Sequence, residues 1–277
     1  MRALFLCLFA ALANAQHLPS PAPFAPDITT SVMKSSKTGR PYQVSVALPD
    51  GYSTKHAPYP VLYAADANAE FGTLVESART FAEIPKLVIV GIGYETRTQG
   101  FAWTPRAVDL TVGADASKPG TMGGAAAFFE FIRNDLAPSI ETTYNVSKDR
   151  AWFGHSYGGL FGLYAMFHND GFFRRFIIGS PSIWQARTDL LDAEKAFAAS
   201  GKPLAARAFF SVGLLEQNGN NRQGMVSDLQ DLIRVLDRRR YKGFTYEVHY
   251  FEDETHLSVI PATISRGLRF IYGPPKE

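Results

Sequence analysis

The first part of the chain carries an alternating pattern of apolar and polar positions. Val44, Val46 and Leu48 alternate with polar or small residues, as in a strand with one buried face. This strand is predicted over 42–48, and a turn that contains glycine and proline connects it to an earlier strand over 32–36. The pattern therefore predicts an antiparallel strand pair ahead of the main fold.

After this pair, apolar runs alternate with helical patterns. Continuous apolar runs, typical of strands covered on both faces of a parallel sheet, occur at 61–65, 87–90, 176–178 and, with one serine, 209–212. Apolar residues at a spacing of four indicate helices through Phe128, Ile132 and Leu136, through Met225, Leu229 and Ile233, and through Ile260, Ile264 and Leu268. This alternation predicts one α/β domain with a mostly parallel sheet. The segment 100–124 is expected to be a loop over a site.

The N-terminal residues form a separate pattern. Arg2 is followed by an apolar run and by Ala13-Asn14-Ala15, which is typical of the cleavage site of a secretory signal peptide. The run is about half as long as the roughly 20 residues that a membrane anchor needs, and no later segment is long and apolar enough to span a membrane. The sequence thus predicts a signal peptide over 1–15, one domain over 16–277 and a periplasmic or secreted protein.

Composition narrows the functional classes. Lys and Arg number 28 against 26 Asp and Glu, which is not the basic excess of a nucleic-acid-binding protein. The hydrophobic share of 46% is too high for a disordered chain. The one cysteine, Cys7, lies in the predicted signal peptide. The mature protein is therefore neither a disulfide scaffold nor a protein with a cysteine-based zinc site.

The most specific motif is Gly154-His155-Ser156-Tyr157-Gly158. The apolar strand Ala151-Trp152-Phe153 precedes it, and an apolar helical pattern begins at Gly159. Strand, G-x-S-x-G and helix together are the context of a nucleophile elbow. The motif predicts Ser156 as a nucleophile and the Tyr157 amide as a hydrogen-bond donor to an oxyanion. A glycine-rich turn with an ordinary serine cap is the alternative.

A serine nucleophile needs a histidine base that an acid orients. Five of the six histidines have positions that favour other roles: His17 in the leader, His56 in an early turn, His155 in the elbow, His168 at a helix end and His249 in the predicted strand 244–251. His256 lies between the last strand and the last helix, at the carboxyl end of a strand, where sites of α/β proteins form. We therefore predict that His256 is the base.

The acid should follow the serine, precede the histidine and come directly after a strand. Glu216 meets these conditions because it follows the predicted strand 209–212. Other downstream carboxylates are less suitable: Asp228 and Asp231 on a predicted helix, where they are expected to face solvent, and Asp253 and Glu254 close to the histidine. Glu216 is therefore the favoured acid.

A second oxyanion donor is expected in the loop after the strand 61–65, which reads Asp66-Ala67-Asn68. The backbone amide of Ala67 is the candidate. A turn in which Asp and Asn satisfy their own backbone groups is the alternative.

The order of several blocks resembles the "putative esterase" group of the α/β-hydrolases, which includes esterase D-like enzymes, periplasmic siderophore esterases of the enterobactin type and mycolyltransferases. The matching blocks are Tyr59 to Tyr63 with Asp66 to Asn68, Ile92 to Tyr94 with Arg106 to Thr111, Phe131 to Tyr144, Gly154 to Leu160 and Gly179 to Trp184. The resemblance implies an α/β-hydrolase fold with helices on both faces of the sheet, a Ser156–Glu216–His256 triad, and neither metal nor cofactor. Two positions depart from the family pattern: Ala67 replaces the usual glycine, and Gln185 stands where a second tryptophan is usual.

The expected reaction is hydrolysis of a small-molecule carboxylic ester through an acyl-enzyme. Trp103 and Trp184 are candidates for an aromatic substrate pocket or for ordinary packing. Arg97 and Arg106 are candidates for a cationic mouth that binds an anionic ester, or for structural ion pairs. A siderophore trilactone esterase is the first alternative, followed by an acyltransferase and by a non-catalytic binding protein on the same fold. The sequence leaves the oligomeric state open.

Overall fold

The computed structural model describes residues 27–95, 100–168, 170–219 and 222–274. The predicted signal peptide and Arg97 lie outside the described residues. The strands are β1 (Ile28–Lys34), β2 (Pro41–Ala47), β3 (Tyr59–Ala64), β4 (Val88–Gly93), β5 (Val146–His155), β6 (Arg175–Gly179), β7 (Ala206–Gly213), β8 (Asn218–Gly219), β9 (Arg222–Gln223) and β10 (Phe244–Phe251). The α-helices are α1 (Ala67–Thr80), α2 (Trp103–Leu110), α3 (Ala125–Phe131), α4 (Ala137–Thr143), α5 (Tyr157–Phe167), α6 (Arg187–Ala199), α7 (Met225–Arg239) and α8 (Ile260–Tyr272). A π-helical turn (Ile132–Leu136) joins α3 to α4, and 3₁₀ turns cover Ile183–Gln185 and Leu214–Gln217.

The main sheet has the strand order β1-β2-β4-β3-β5-β6-β7-β10. β2 pairs antiparallel with β1 and β4, and every pairing from β4 to β10 is parallel. This arrangement confirms the predicted α/β fold with an N-terminal antiparallel pair. β1 begins four residues before its predicted start at 32, because most of its side chains face solvent and leave no apolar pattern to mark it.

Helices cover both faces of the sheet, as predicted. Neighbouring residues of one strand contribute to opposite cores: Val61 of β3 packs with Phe128 and Leu160 on one face. Leu62 packs with Leu74 of α1 and Ile264 of α8 on the other face, together with the rest of a second buried cluster. The continuous apolar runs are therefore strands buried on both faces.

The structure contains three helices that the sequence patterns did not predict: α1, α2 and α6. Segment 100–124, which the sequence predicts to be a loop, contains α2. Ala67 and Asn68, also predicted to lie in a loop, are the first residues of α1. Each of these helices places a charged side chain on its buried face: Glu70 in α1, Arg106 in α2 and Glu194 in α6. A buried charge interrupts the apolar stripe on which a helix prediction depends.

Asp228 also differs from its expectation. Its side chain is buried at the start of α7 and forms an ion pair with Arg187, instead of facing solvent. Asp231 pairs with the same arginine and remains partly exposed. None of the helices in the described ranges combines the length and the apolar character needed to cross a bilayer.

Candidate active site

The predicted site residues lie at one edge of the sheet. Parallel strands end at the same edge, so the segments that follow β3, β5, β7 and β10 meet there. Ala67 follows β3, Ser156 follows β5, Glu216 follows β7 and His256 follows β10. The topology therefore brings together residues that are far apart in the chain.

Ser156 occupies a sharp turn between β5 and α5. Its backbone has φ 61° and ψ −117°, a region that non-glycine residues rarely adopt and that costs about 1–3 kcal/mol. A Cβ on Gly154 would collide with the backbone of Gly158, and a Cβ on Gly159 would lie 2.7 Å from the carbonyl oxygen of Gly179. The glycines thus permit the close strand-to-helix packing that the motif predicts. The Ser156 N–H donates to the same Gly179 oxygen at 2.9 Å, which fixes the turn.

His256 and Glu216 form a hydrogen-bonded pair. The Nδ1–H of His256 donates to Glu216 Oε2 at 2.6 Å. The other oxygen, Oε1, accepts from the Ser180 hydroxyl at 2.6 Å and from the Gly213 N–H at 2.8 Å. Because a carboxylate accepts at Nδ1, the Nε2 of a neutral His256 is left as a proton acceptor.

Two serines near this pair were not assigned a role from the sequence. Ser180 binds Glu216 and has a positive φ of 37°, and the hydroxyl of Ser182 lies 3.3 Å from that of Ser156. The Ser182 N–H also donates to the Ser156 carbonyl at 3.1 Å. Both serines are fully buried after β6. In the sequence, both serines belong to the block Gly179 to Trp184. This block resembles the family pattern but does not by itself indicate a chemical role for either serine.

The turn after β3 explains the alanine at position 67. The positive φ of this turn, 51°, belongs to Asp66 and not to Ala67, which already lies in α1. A methyl group is therefore compatible with position 67. Asn68 ties the turn to the end of β4, because its side chain accepts from the Tyr94 N–H at 2.8 Å and donates to the Tyr94 carbonyl at 2.9 Å.

Arg106 forms a structural ion pair. The sequence allows either this role or a place at a cationic mouth of the site. Its guanidinium donates from Nε and Nη2 to both carboxylate oxygens of Asp66, each at 2.7 Å, and both side chains are 1% exposed. Burial alone would lower the pKa of Arg106, but the charge of Asp66 and its hydrogen bonds raise that pKa above its usual value. The charge of Arg106 is thus compensated in the interior instead of lying free at a surface mouth.

Glu70 lies beside this ion pair without a hydrogen-bond partner for either carboxylate oxygen. Burial raises the pKa of Glu70 well above its usual value, the charge of Asp66 raises it further, and Arg106 lowers it only in part. The protonated form of Glu70 is therefore favoured, and both donors that Arg106 gives to a carboxylate here go to Asp66.

We expect Glu70→Leu to raise the free energy of unfolding by about 1–3 kcal/mol at pH 7, because it removes a buried polar group that has no partner. Because the pKa of Glu70 is raised in the folded protein, there is a range above pH 4.5 in which the folded protein holds this proton and the unfolded chain releases it. Wild-type stability therefore falls as pH rises through this range, and the gain from Glu70→Leu grows with pH. Urea unfolding of both proteins at several pH values measures this gain, and a gain independent of pH would contradict the raised pKa of Glu70.

An apolar rim surrounds the site edge. We define it by five exposed large side chains that follow the strand ends or begin α2: Trp103, Trp184, Leu214, Leu215 and Leu257. Trp103 is 55% and Trp184 41% exposed, so neither is ordinary core packing. The Trp184 ring lies 6.4 Å from the ring of Tyr157, next to the elbow. Within the described ranges, no group of three or more His, Cys, Asp or Glu side chains is arranged to hold a metal ion.

Comparison with known proteins places the chain in a family. The family model described as "Putative esterase" matches residues 35–259. The chain is 34% identical over 269 residues to the ferri-bacillibactin esterase BesA of Bacillus subtilis, covering 90% of this chain and 91% of the relative. It is 30% identical over 282 residues to a siderophore triacetylfusarinine C esterase of Aspergillus fumigatus, covering 92% and 96%.

A solved structure has the same fold. The BES protein from Bacillus cereus aligns with a TM-score of 0.82 and 29% sequence identity, covering 92% of this chain and 99% of the other. The family model spans most of the chain, and the relatives align over nearly their full length. The chain therefore belongs to the putative esterase family and is an enzyme that acts on ester bonds.

Proposed function

We propose that the protein hydrolyses carboxylic esters with Ser156 as nucleophile, His256 as general base and Glu216 as the acid that orients the base. One observation carries the proposal: a buried carboxylate holds His256 at Nδ1 at the same sheet edge as a serine in a nucleophile elbow. This is the set of roles that a serine hydrolase needs, in the chain order Ser, Glu, His.

The proposed reaction has two steps. His256 Nε2 removes the hydroxyl proton of Ser156 while Oγ attacks the ester carbonyl carbon. The imidazolium then gives this proton to the leaving alcohol, and the acyl group remains on Ser156. Water next attacks the acyl-enzyme with His256 again as base, and the proton returns to Ser156 when the acid leaves. Glu216 stabilises the imidazolium in both steps.

The negative charge on the tetrahedral oxygen needs hydrogen-bond donors. We propose the amides of Tyr157 and Ala67, which are the first residues of α5 and α1. The N-terminus of a helix has unpaired N–H groups and a partial positive charge, so both positions favour an oxyanion. One such donor is typically worth about 3–4 kcal/mol in the transition state.

The substrate is proposed to carry large apolar groups, because the apolar rim borders the site. Leu257 follows the proposed base directly and is 58% exposed. The named activities of the two relatives support a siderophore ester as the second candidate substrate. The first proposal is a general carboxylic ester hydrolase, because the exposed side chains of the rim are apolar and suit apolar groups of more than one ester.

A panel of substrates tests this choice. We expect kcat/KM for p-nitrophenyl esters to rise with the apolar size of the acyl group, and Leu257→Ser to reduce the rate for large groups but not for acetate. Val32→Ser is the matched control, since Val32 is also exposed (51%) but lies on β1 at the far side of the sheet. Equal loss for acetate and large esters would contradict a rim that binds substrate.

The same panel separates the alternatives. Faster hydrolysis of ferric or iron-free trilactones than of simple esters would establish the siderophore esterase. Formation of new esters with an added alcohol would indicate an acyltransferase. A fluorophosphonate that fails to label Ser156 in the folded protein would favour the non-catalytic binding protein.

We also propose that the chain is exported to the periplasm or beyond, on the basis of the N-terminal pattern alone. Cleavage after Ala15 should leave a mature protein that begins at Gln16. Intact mass and N-terminal sequencing of protein made in an exporting host measure this end. A protein that retains residues 1–15 in a membrane-free cytoplasmic fraction would contradict export.

A further inference from the structure

We infer that the buried Asp66–Arg106 ion pair is a positioning device for the oxyanion site: it fixes the turn that bears the Ala67 amide and cancels the charge that this turn would otherwise place beside the oxyanion. The inference rests on the proposed function, because it assigns a role relative to the proposed Ala67 and Tyr157 donors. Asp66 and Arg106 touch neither substrate nor reacting atoms in this role. They act through the backbone around them.

The turn is held on both sides of Ala67. On one side, Asp66 accepts two hydrogen bonds of 2.7 Å from Arg106, which belongs to α2. On the other side, Asn68 makes two hydrogen bonds to the backbone of Tyr94 at the end of β4. With both neighbours fixed, the Ala67 amide between them has little freedom to change direction.

The ion pair also touches the second donor element. A Cβ placed on Gly158 would lie 3.6 Å from Asp66 Oδ2 and 3.2 Å from Ala65 Cβ, so the carboxylate borders the first turn of α5. The Arg106 guanidinium carbon lies 5.1 Å from the centre of the Tyr157 ring. One ion pair thus joins the two helix starts that carry the proposed donors.

Arg106 compensates the negative charge of Asp66 next to the proposed oxyanion site. An uncompensated carboxylate at this depth would repel the negative charge that forms on the substrate oxygen, in surroundings that screen charge poorly. The bidentate contact with Arg106 neutralises it, and Glu70 makes no hydrogen bond to the arginine. The pair then anchors the turn without adding net charge.

The aromatic rings that cover Arg106 argue against direct binding of substrate by its guanidinium. Its guanidinium lies 5.0 Å from the ring of Phe101 and 5.3 Å from that of Trp103, in addition to Tyr157, and the side chain is 1% exposed. These rings separate the cation from solvent. A substrate carboxylate or catecholate would have to displace both the rings and Asp66 to reach it.

Substitution of Arg106 should lower kcat more than substitution of Asp66. Arg106→Gln leaves the Asp66 charge uncompensated, and we expect kcat for a p-nitrophenyl ester to fall about 100-fold with KM within threefold of wild type. Asp66→Asn leaves a cation near the oxyanion, a charge of favourable sign, and should lower kcat only about tenfold. The double variant Asp66→Asn/Arg106→Gln is neutral and should recover about tenfold over Arg106→Gln.

A purely structural ion pair would behave differently. Equal losses in the two single variants, no recovery in the double variant, or a loss that resides in KM would each overturn the inference.

Glu194→Gln is the matched control: Glu194 is equally buried and paired with Arg239, far from the site edge, so it should lower stability without changing kcat. If Arg106→Gln does not fold, Arg106→Lys replaces it: a lower kcat at unchanged KM supports the inference, and a wild-type kcat overturns it.

Ser156→Ala, assayed beside these variants, separates this inference from the proposed function. If Ser156→Ala retains activity, the proposed nucleophile is wrong and the positioning role has no site to serve. If Ser156→Ala is inactive and Arg106→Gln has wild-type kcat, only the positioning role is wrong.

Discussion

Ser156→Ala is expected to lower kcat for a p-nitrophenyl ester on the order of a million-fold, the size of loss seen when a serine hydrolase loses its nucleophile. The substitution removes the only atom that forms the covalent bond in the proposed reaction. No acyl-enzyme can form, so hydrolysis would depend on direct attack by water. Water in that position lacks the fixed distance and direction that the elbow gives to Oγ.

The measurement is steady-state hydrolysis together with covalent labelling by a fluorophosphonate. Ser147→Ala is a matched control because Ser147 lies near the start of β5, at the opposite end of the strand that leads to Ser156. We expect this control to keep wild-type activity and labelling. A folded Ser156→Ala protein that hydrolyses esters at the wild-type rate would refute the nucleophile.

Glu216→Gln is expected to lower kcat about ten-thousand-fold although the side chain keeps its shape. The site of Oε1 receives two hydrogen bonds, from the Ser180 hydroxyl and the Gly213 N–H, and only an oxygen can accept them. The glutamine oxygen therefore takes that site, and its NH₂ group points at His256 Nδ1. Nδ1 must then accept a hydrogen bond, so the proton moves to Nε2 and His256 can no longer remove a proton from Ser156.

The pH–rate profile and the kcat–KM split measure this effect. KM should change little, because Glu216 is buried and acts through His256. Glu254→Gln is the matched control: it is close to His256 in sequence, but its carboxylate accepts a hydrogen bond from Ser258. Wild-type kcat in Glu216→Gln combined with a large loss in Glu254→Gln would show that the acid was assigned to the wrong residue.

The parallel sheet was predictable because its strands are buried on both faces. Runs such as Val88–Val90 and Phe209–Phe210 are apolar at every position, which is typical of strands that helices cover on both sides. The helices α1, α2 and α6 were missed for the opposite reason. Glu70, Arg106 and Glu194 lie on their buried faces, where a helical stripe should be apolar.

The candidate site was predictable as far as it depends on chain order. Strand ends place Ser156, Glu216 and His256 at one edge, whatever the details of packing. The contact between Asp66 and Arg106 joins residues 40 positions apart, and no local pattern indicates it. The hydrogen bond from Ser180 to Glu216 spans 36 positions and has no local signal for the same reason.

The backbone at the site edge also limits how far this enzyme can be made heat-resistant. Asp66, Ser156, Ser180 and Asp253 follow four parallel strands and have positive φ, between 37° and 61°. Each such residue typically costs about 1–3 kcal/mol, so a selection for survival at high temperature would favour changes here first. At Asp66, Ser156 and Ser180 such changes would sacrifice turnover. Asp253 carries no proposed catalytic role. Asp253→Gly is therefore expected to raise heat resistance without loss of activity.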